Sequence, residues 1–371
     1  MSEKNIYVTK PFLPPIDEYY TYLKRIWDSN ILTNNGQLHQ ELEKELTEYL
    51  KCENITLLVN GHLALETALK MLTVSGEVIT TPFTFASTIH SIINTGSQPI
   101  FCDIKPDDCT IDEEKIERLI TNKTTAIVAV HVYGYPCNIE VIESIAKKHG
   151  LKVIYDAAHA FGVEYNGIPI SNYGDVSMFS FHATKIFHSI EGGALIYKNT
   201  EYKKLFNLYK NFGISGPDNV NIVGTNAKMN EFQAAMGLTN LKHIGQIIER
   251  RSIITERYTQ NLRNINGIKI INTQRATKKN HAYYPILVDE LKYGHTRDEL
   301  SSYLEANSIF ARKYFYPIAT NYQCFNDKYA NCDVPVAEYT SQRILTLPLY
   351  TDLSLDDVDR ICNLINSFKG K

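Results

Sequence analysis

The sequence predicts an α/β fold, with a mostly parallel central sheet covered by helices and a smaller C-terminal α+β domain. Three observations carry that expectation. Short apolar runs alternate with helical patterns from about residue 55 to residue 197, as strands joined by crossover helices do. No internal repeat, low-complexity run or Pro/Gly-rich linker interrupts the alternation. From about Leu238 the texture changes to a long charged helix through Arg251 and then to more mixed segments. The 371 residues suit two domains, expected at 1–240, the large α/β domain with the N-terminal segment, and 241–371.

Each element has its own warrant. Leu38, Leu42, Leu46 and Leu50 recur every four residues with polar residues between them, so an amphipathic helix lies between Gly36 and Cys52. Residues 55–59 form a short apolar strand, and Asn60-Gly61 leads into a helical pattern over 63–72. Further strands are expected at 78–80, 99–101, 126–130, 152–155, 176–181 and 194–197. Between two of them a helix runs over 139–149, with Gly150 in the stop position.

Composition removes several function classes. With 38 basic and 41 acidic residues the net charge is −3, so there is no global basic field for nucleic acid. No run approaches the ~18 apolar residues of a membrane helix, and the polar opening residues 1–5 are not followed by the apolar core of a signal peptide. The seven cysteines are odd in number and form no C-x-x-C pair, so they read as reduced thiols. A cytoplasmic enzyme is expected, without metal, membrane or nucleic-acid partner.

In open α/β sheets ligands sit outside the carboxyl ends of the strands, so the strand ends are where chemistry is sought. Gly61, between a strand and a helix, makes either a tight turn or a phosphate seat at the helix N-terminus. Asp156 closes the run Lys152-Val153-Ile154-Tyr155 as a cap, a metal ligand or a partner for a cationic ligand nitrogen. Lys185 lies in the loop after Ser180-Phe181-His182, either as a solvated charge or as a lysine made nucleophilic by a lowered pKa. Phe85, past the strand at 78–80, is core or a flat face for a ring. His182 and His188 lack a neighbouring carboxylate or cysteine to complete a metal site. In this order a phosphate seat, an aromatic, a strand-end Asp and a loop lysine are the parts that hold pyridoxal 5′-phosphate, which needs a lysine Schiff base, a carboxylate at its ring nitrogen and phosphate donors.

The chain also resembles the DegT/DnrJ/EryC1/StrS sugar aminotransferases of fold-type I, which are aspartate-aminotransferase-like, over essentially its whole length. The resemblance rests on Asn60-Gly61-His62, Thr81-Pro82-Phe83-Thr84-Phe85-Ala86, Asp156-Ala157-Ala158-His159-Ala160, Ser180-Phe181-His182-x-x-Lys185 with Glu191-Gly192-Gly193, and Gly224-x-Asn226-x-Lys228-Met229-Asn230-Glu231. It implies that Lys185 carries the cofactor, Asp156 contacts its ring nitrogen and Phe85 stacks on its ring. It further implies that Gly61, His62 and Ser180 hold the phosphate, and that Asn226 reaches the phosphate in a neighbouring subunit, making a homodimer with shared sites. His159 stands where the family usually has Gln near the cofactor ring, and His62 where it usually has Thr. Relatives that dehydrate sugars carry histidine in place of the lysine, so Lys185 favours transamination.

The resemblance also bears on substrates. Glu191, six residues after the lysine, resembles enzymes that move the amino group of L-glutamate to C-4 of a nucleotide-linked 4-keto-6-deoxy sugar for bacterial surface polysaccharide. C-3 amination and a galacto-configured C-4 product are the nearest alternatives. For the diphosphate and sugar, Arg312 and Lys313 beside Tyr314 and Tyr316 are candidates, against the alternative of a surface pair next to a buried aromatic strand. A desulfurase would need a cysteine on an active-site loop, and a cofactor-binding regulator would need an appended basic helix-turn-helix; the sequence offers neither.

Overall fold

In the computed structural model, which describes residues 5–72, 74–325 and 328–369, the apolar runs assemble into one seven-stranded sheet. Residues 1–4 of the polar opening segment lie outside the described residues. In chain order the strands are β1 (Asn54–Leu58), β2 (Glu77–Thr80), β3 (Gln98–Phe101), β4 (Thr124–Val130), β5 (Lys152–Asp156), β6 (Val176–Ser180) and β7 (Gly193–Tyr197). Across the sheet they lie in the order β1-β7-β6-β5-β4-β2-β3. The pairs are parallel except those that β7 makes with β1 and β6.

Alternate residues feed two cores. Leu57, Ile79, Ile127, Ala129, Tyr155 and Phe179 pack on one face. Leu58, Val78, Ala126, Val128, Ile154 and Met178 pack on the other. Burial on both sides is why these strands read as unbroken apolar runs rather than as an alternation.

The leucine stripe at 38, 42, 46 and 50 lies on helix Gln37–Leu50 and joins the first core. It meets helix Glu231–Leu241 closely: a Cβ on Gly237 would sit 2.8 Å from Leu42 Cδ2. Glu231 is 2 % exposed, and its two carboxylate oxygens accept from the N–H groups of Leu38 and His39 at 2.8 and 2.9 Å. It thereby caps the N-terminus of helix Gln37–Leu50 from a different helix, where a negative charge also meets the positive end of the dipole. Replacing Glu231 with alanine strands both donors. We expect a loss of about 2–3 kcal/mol in urea unfolding, with Glu231→Gln losing less because one acceptor survives.

The single charged helix expected from Leu238 through Arg251 is two helices. Glu231–Leu241 starts at an Asn230 capping box with Gln233, and Ile244–Leu262 follows after a turn at Lys242-His243. The turn has a packing cause. The first helix stays on the large sheet's core, whereas Ile254, Tyr258 and Leu262 of the second belong to a separate core. That core is built on an antiparallel sheet of Ile268–Ile270, Tyr284–Val288 and Ile344–Leu347, with helices Arg297–Ala306 and Leu355–Phe368. It also takes Ile6, because the strand Ile6–Tyr7 pairs in parallel with Ile309–Phe310.

Candidate active site

The carboxyl ends of β1, β5 and β6 open on a cavity of ≈ 500 Å³. Asn60, which follows β1, caps helix Gly61–Met71 by accepting from the Leu63 N–H at 2.8 Å. The N–H groups of Gly61 and His62 are thus the free donors at the start of an 11-residue helix, facing the cavity. Only glycine permits the approach there. A Cβ on Gly61 would lie 2.8 Å from Ser180 Cβ, and one on Gly193 would lie 2.5 Å from the Asn60 carbonyl oxygen. Ser180, at the end of β6, adds a hydroxyl to the same wall. The His62 ring is turned to its own helix and the next one, with Nε2 3.0 Å from Glu66 and Nδ1 2.9 Å from Ser87 Oγ. What His62 brings to the seat is therefore its backbone N–H.

Asp156 ends β5 almost fully buried. Its Oδ2 accepts from Thr88 Oγ1 at 2.8 Å and its Oδ1 from the Ala158 N–H at 3.1 Å. Burial raises its carboxyl above the usual range, opposed by those hydrogen bonds and by the positive charge of Lys185. Such a carboxylate favours a cation in the cavity.

Lys185 lines the same space, and burial brings its amine down to about 8, against the pull of Asp156 and Tyr314. At neutral pH about one amine in ten is then unprotonated, compared with about one in 3,000 for an ordinary lysine. His159 accepts the Tyr133 N–H at its Nδ1, 3.1 Å away, so its proton resides on Nε2. Burial also holds its imidazole well below the usual range, so it is a neutral donor. Phe85, 62 % exposed, presents its ring to the opening.

Seven of the residues singled out in the cofactor motifs, Gly61, His62, Phe85, Asp156, His159, Ser180 and Lys185, thus meet in one cavity, joined by Tyr314. Others lie elsewhere. Asn226 is exposed and forms a backbone bridge with Asn211, away from this cavity. Arg312 bridges Thr346 and lines an adjoining cavity. Lys313 and Tyr316 line neither of these two cavities. Lys313 Nζ pairs with Asp298 at 2.6 Å, and the Tyr316 ring lies 4.9 Å from the Arg297 guanidinium in a separate pocket.

The site also holds residues that sequence reasoning did not assign. Thr88 stands 68 positions from the Asp156 it bonds. Tyr283 and Phe315 reach the cavity from the C-terminal part of the chain, Tyr283 against the His159 ring at 4.6 Å. His182, whose Nε2 lies 3.5 Å from Glu191, lines the rim with it. Among the described residues no cluster of three His, Cys, Asp or Glu is placed to hold a metal.

A buried carboxylate, a low-pKa lysine, an open aromatic face and a glycine-backed helix N-terminus fit pyridoxal 5′-phosphate, group for group. This fold and site define a pyridoxal-phosphate-dependent aminotransferase. The chain belongs to the DegT/DnrJ/EryC1/StrS aminotransferase family, whose model matches residues 16–366. It is 45 % identical over 367 residues to a dTDP-4-amino-4,6-dideoxy-D-glucose transaminase of Shigella dysenteriae, covering 99 % of this chain and 100 % of that one. It is 42 % identical over 370 residues to the Escherichia coli protein of the same name, covering 98 % and 99 %. Among solved structures, DesI in the presence of its TDP-sugar product superposes with a TM-score of 0.93 at 32 % identity, covering 98 % of this chain and 93 % of that one.

Proposed function

We propose that this aminotransferase moves the amino group of L-glutamate to C-4 of dTDP-4-keto-6-deoxy-D-glucose, giving dTDP-4-amino-4,6-dideoxy-D-glucose and 2-oxoglutarate for bacterial surface polysaccharide. The observation that carries this reading is end-to-end identity of 45 % and 42 % with two transaminases named for that product. The cavity's residues support it. The free N–H groups of Gly61 and His62 with the Ser180 hydroxyl would hold the cofactor phosphate, Phe85 would cover the ring, and Asp156 would keep the ring nitrogen protonated. Pyridoxal phosphate, when bound, supplies the electron sink that makes a Cα–H bond acidic. Lys185 Nζ takes that proton from the amino donor and, in the return half, a proton is delivered at C-4 of the sugar by the same amine. Its lowered pKa suits both directions near neutrality. Neutral His159 donates from Nε2 without adding charge, and Arg312 faces the diphosphate from the adjoining cavity.

The test is the product. Incubation with glutamate and the 4-keto sugar nucleotide is expected to give nitrogen on C-4, with the large H-4 couplings of the gluco configuration in proton NMR. Nitrogen on C-3, or the small couplings of the galacto epimer, overturns the acceptor assignment while leaving the transaminase.

We also propose a homodimer in the cytoplasm, divided near residue 240. Asn226 is exposed, in a segment whose Val220 and Val223 are 70 % and 93 % exposed, as a surface covered by a second copy would be. Full activity in a sedimenting monomer refutes the shared site. The separate core of the C-terminal residues favours the division, with Ile6 as the N-terminal exception.

A further inference from the structure

His188 follows Lys185 by three residues, and no step above uses it. It is 2 % exposed, and both ring nitrogens are engaged. Nδ1 accepts from the Ile190 N–H at 3.3 Å, so the proton resides on Nε2, which donates to the Phe12 carbonyl oxygen at 2.7 Å. Burial holds the imidazole below its usual pKa, against the pull of that carbonyl, and keeps the ring neutral as this pattern requires. The carbonyl oxygen of His188 accepts in turn from Asn240 Nδ2 at 2.9 Å, on helix Glu231–Leu241.

These bonds hold the loop between β6 and β7, from which both Lys185 and Glu191 line the cavity. The middle of the loop is fixed on the first core, where the Phe187 ring stacks on Phe161 at 4.4 Å. The return toward Glu191 is held differently. Ile190 stands at φ 70°, a left-handed backbone that a β-branched side chain resists. It is 45 % exposed, so packing within the chain does not impose that conformation. Hydrogen bonds do: the Ile190 N–H to His188, and the Ser189 hydroxyl to the Glu191 carbonyl at 2.8 Å. On the other side, Phe12 belongs to the extended segment 8–15 that leads into helix Ile16–Ser29. That segment is tied to the second core, with the Leu349 N–H donating to Val8 at 3.0 Å and Lys10 Nζ 2.7 Å from Asp352. Phe12 itself packs on the first core. His188 therefore joins the lysine loop to a segment anchored on both cores.

We propose that His188 is a positioning residue for the transamination: its two ring nitrogens pin the loop of Lys185 and Glu191 to the opening segment and hold Ile190 in its strained turn. His188 does not line the cavity, so it acts only through the residues it holds. The role rests on Lys185 as the amine that moves the proton, and adds the groups that fix where that amine stands. A neutral imidazole suits the task because it offers one donor and one acceptor at opposite edges of a rigid ring. Its Nε2 side meets a carbonyl and its Nδ1 side meets an N–H, so neither partner is left unpaired.

Steady-state kinetics of the pyridoxal-phosphate-loaded enzyme and hydrogen exchange of the cofactor-free chain test this together. His188→Asn places an amide oxygen near the position of Nδ1 and keeps the Ile190 bond, whereas His188→Gln reaches Phe12 and keeps the other. His188→Ala keeps neither. It is expected to lower kcat about 10- to 100-fold, the effect of misplacing a reacting group by about 1 Å, with the KM for glutamate unchanged. In the cofactor-free chain the fragment holding Ile190 is expected to exchange faster in His188→Ala and His188→Gln than in His188→Asn. Fragments of β4 and β5 are expected to stay protected as in the parent. Glycine takes the left-handed backbone freely, so Ile190→Gly added to His188→Gln is expected to raise kcat again. Added to His188→Asn it is expected to raise nothing. A parent-like kcat and exchange pattern in His188→Ala overturns the proposal. Loss of protection in β4 and β5 also overturns it, since His188 then serves the fold as a whole. If Lys185→Ala keeps its turnover, the amine reading fails and the positioning role with it, while the exchange pattern of the His188 variants persists.

Discussion

Lys185→Ala is expected to lower turnover by at least about 10⁴-fold, the upper range for a positioned proton-transfer group, and to remove the absorbance of lysine-joined cofactor. Among the described residues no other amine lines the cavity, so no neighbour substitutes. Lys185→Arg is expected to fail equally, because a guanidinium does not give up its proton near neutrality. Added methylamine is expected to restore a measurable fraction, which a collapsed site would not allow. Stability gives an independent readout with the opposite sign. Burial lowers the Lys185 pKa from 10.5 to about 8, so between those values the unfolded chain binds more protons than the folded one. Stability of the cofactor-free chain therefore rises with pH across that window and is penalised below it. At neutral pH Lys185→Ala should unfold at the same or higher urea concentration than its parent. A parent-like turnover rate, or a marked loss of stability, would sink the assignment.

The difference between what the sequence discloses and what it hides has a physical cause at each position. Strands β4 and β5 are legible because burial on both faces keeps 126–130 and 153–155 apolar, Asp156 because it closes the second of these runs, and Lys185 because it stands in the polar loop after β6. Gly61 is legible as a turn, but the reason for glycine, the nearness of Ser180, is a contact across the sheet between residues remote in the chain. Helix Ile16–Ser29 packs Tyr19, Tyr22, Leu23 and Ile26 on the first core at helical spacing, a signal the sequence does carry. The strand Ile6–Tyr7 has two residues and a partner some 300 positions away, so no local pattern could reveal it. Tyr283 and Phe315 come to the cavity by the same route, through packing against Phe83, Val130 and Tyr133 at the ends of the seven-stranded sheet. Strand ends and the motifs beside them disclose Gly61, Asp156, Ser180 and Lys185, whereas Tyr283 and Phe315 are brought to the cavity by tertiary contacts.

Asp156→Asn is expected to reduce kcat by about 10²- to 10³-fold while the protein folds and takes up cofactor. The size is that of removing one preorganised electrostatic partner, and the substitution is chosen to leave shape intact. An amide fills the same volume, and its oxygen can still accept from Thr88 or from the Ala158 N–H. What it cannot supply is negative charge opposite a protonated ring nitrogen. Sequestering that charge is costly in the empty protein. Burial raises the folded pKa above the unfolded value, so stability falls as pH rises from the unfolded carboxylate range through the folded pKa. Cofactor-free Asp156→Asn should accordingly be at least as stable as its parent at neutral pH, even as its activity drops. Thr88→Val provides the graded case. It removes the hydroxyl that donates to Oδ2 but keeps the carboxylate, so kcat is expected to fall about 10- to 100-fold, one charged hydrogen bond's worth. If Asp156→Asn retains full kcat, the carboxylate serves only to order the Thr88 hydroxyl and the Ala158 backbone. If Thr88→Val is instead the more damaging of the two, position rather than charge governs the ring nitrogen.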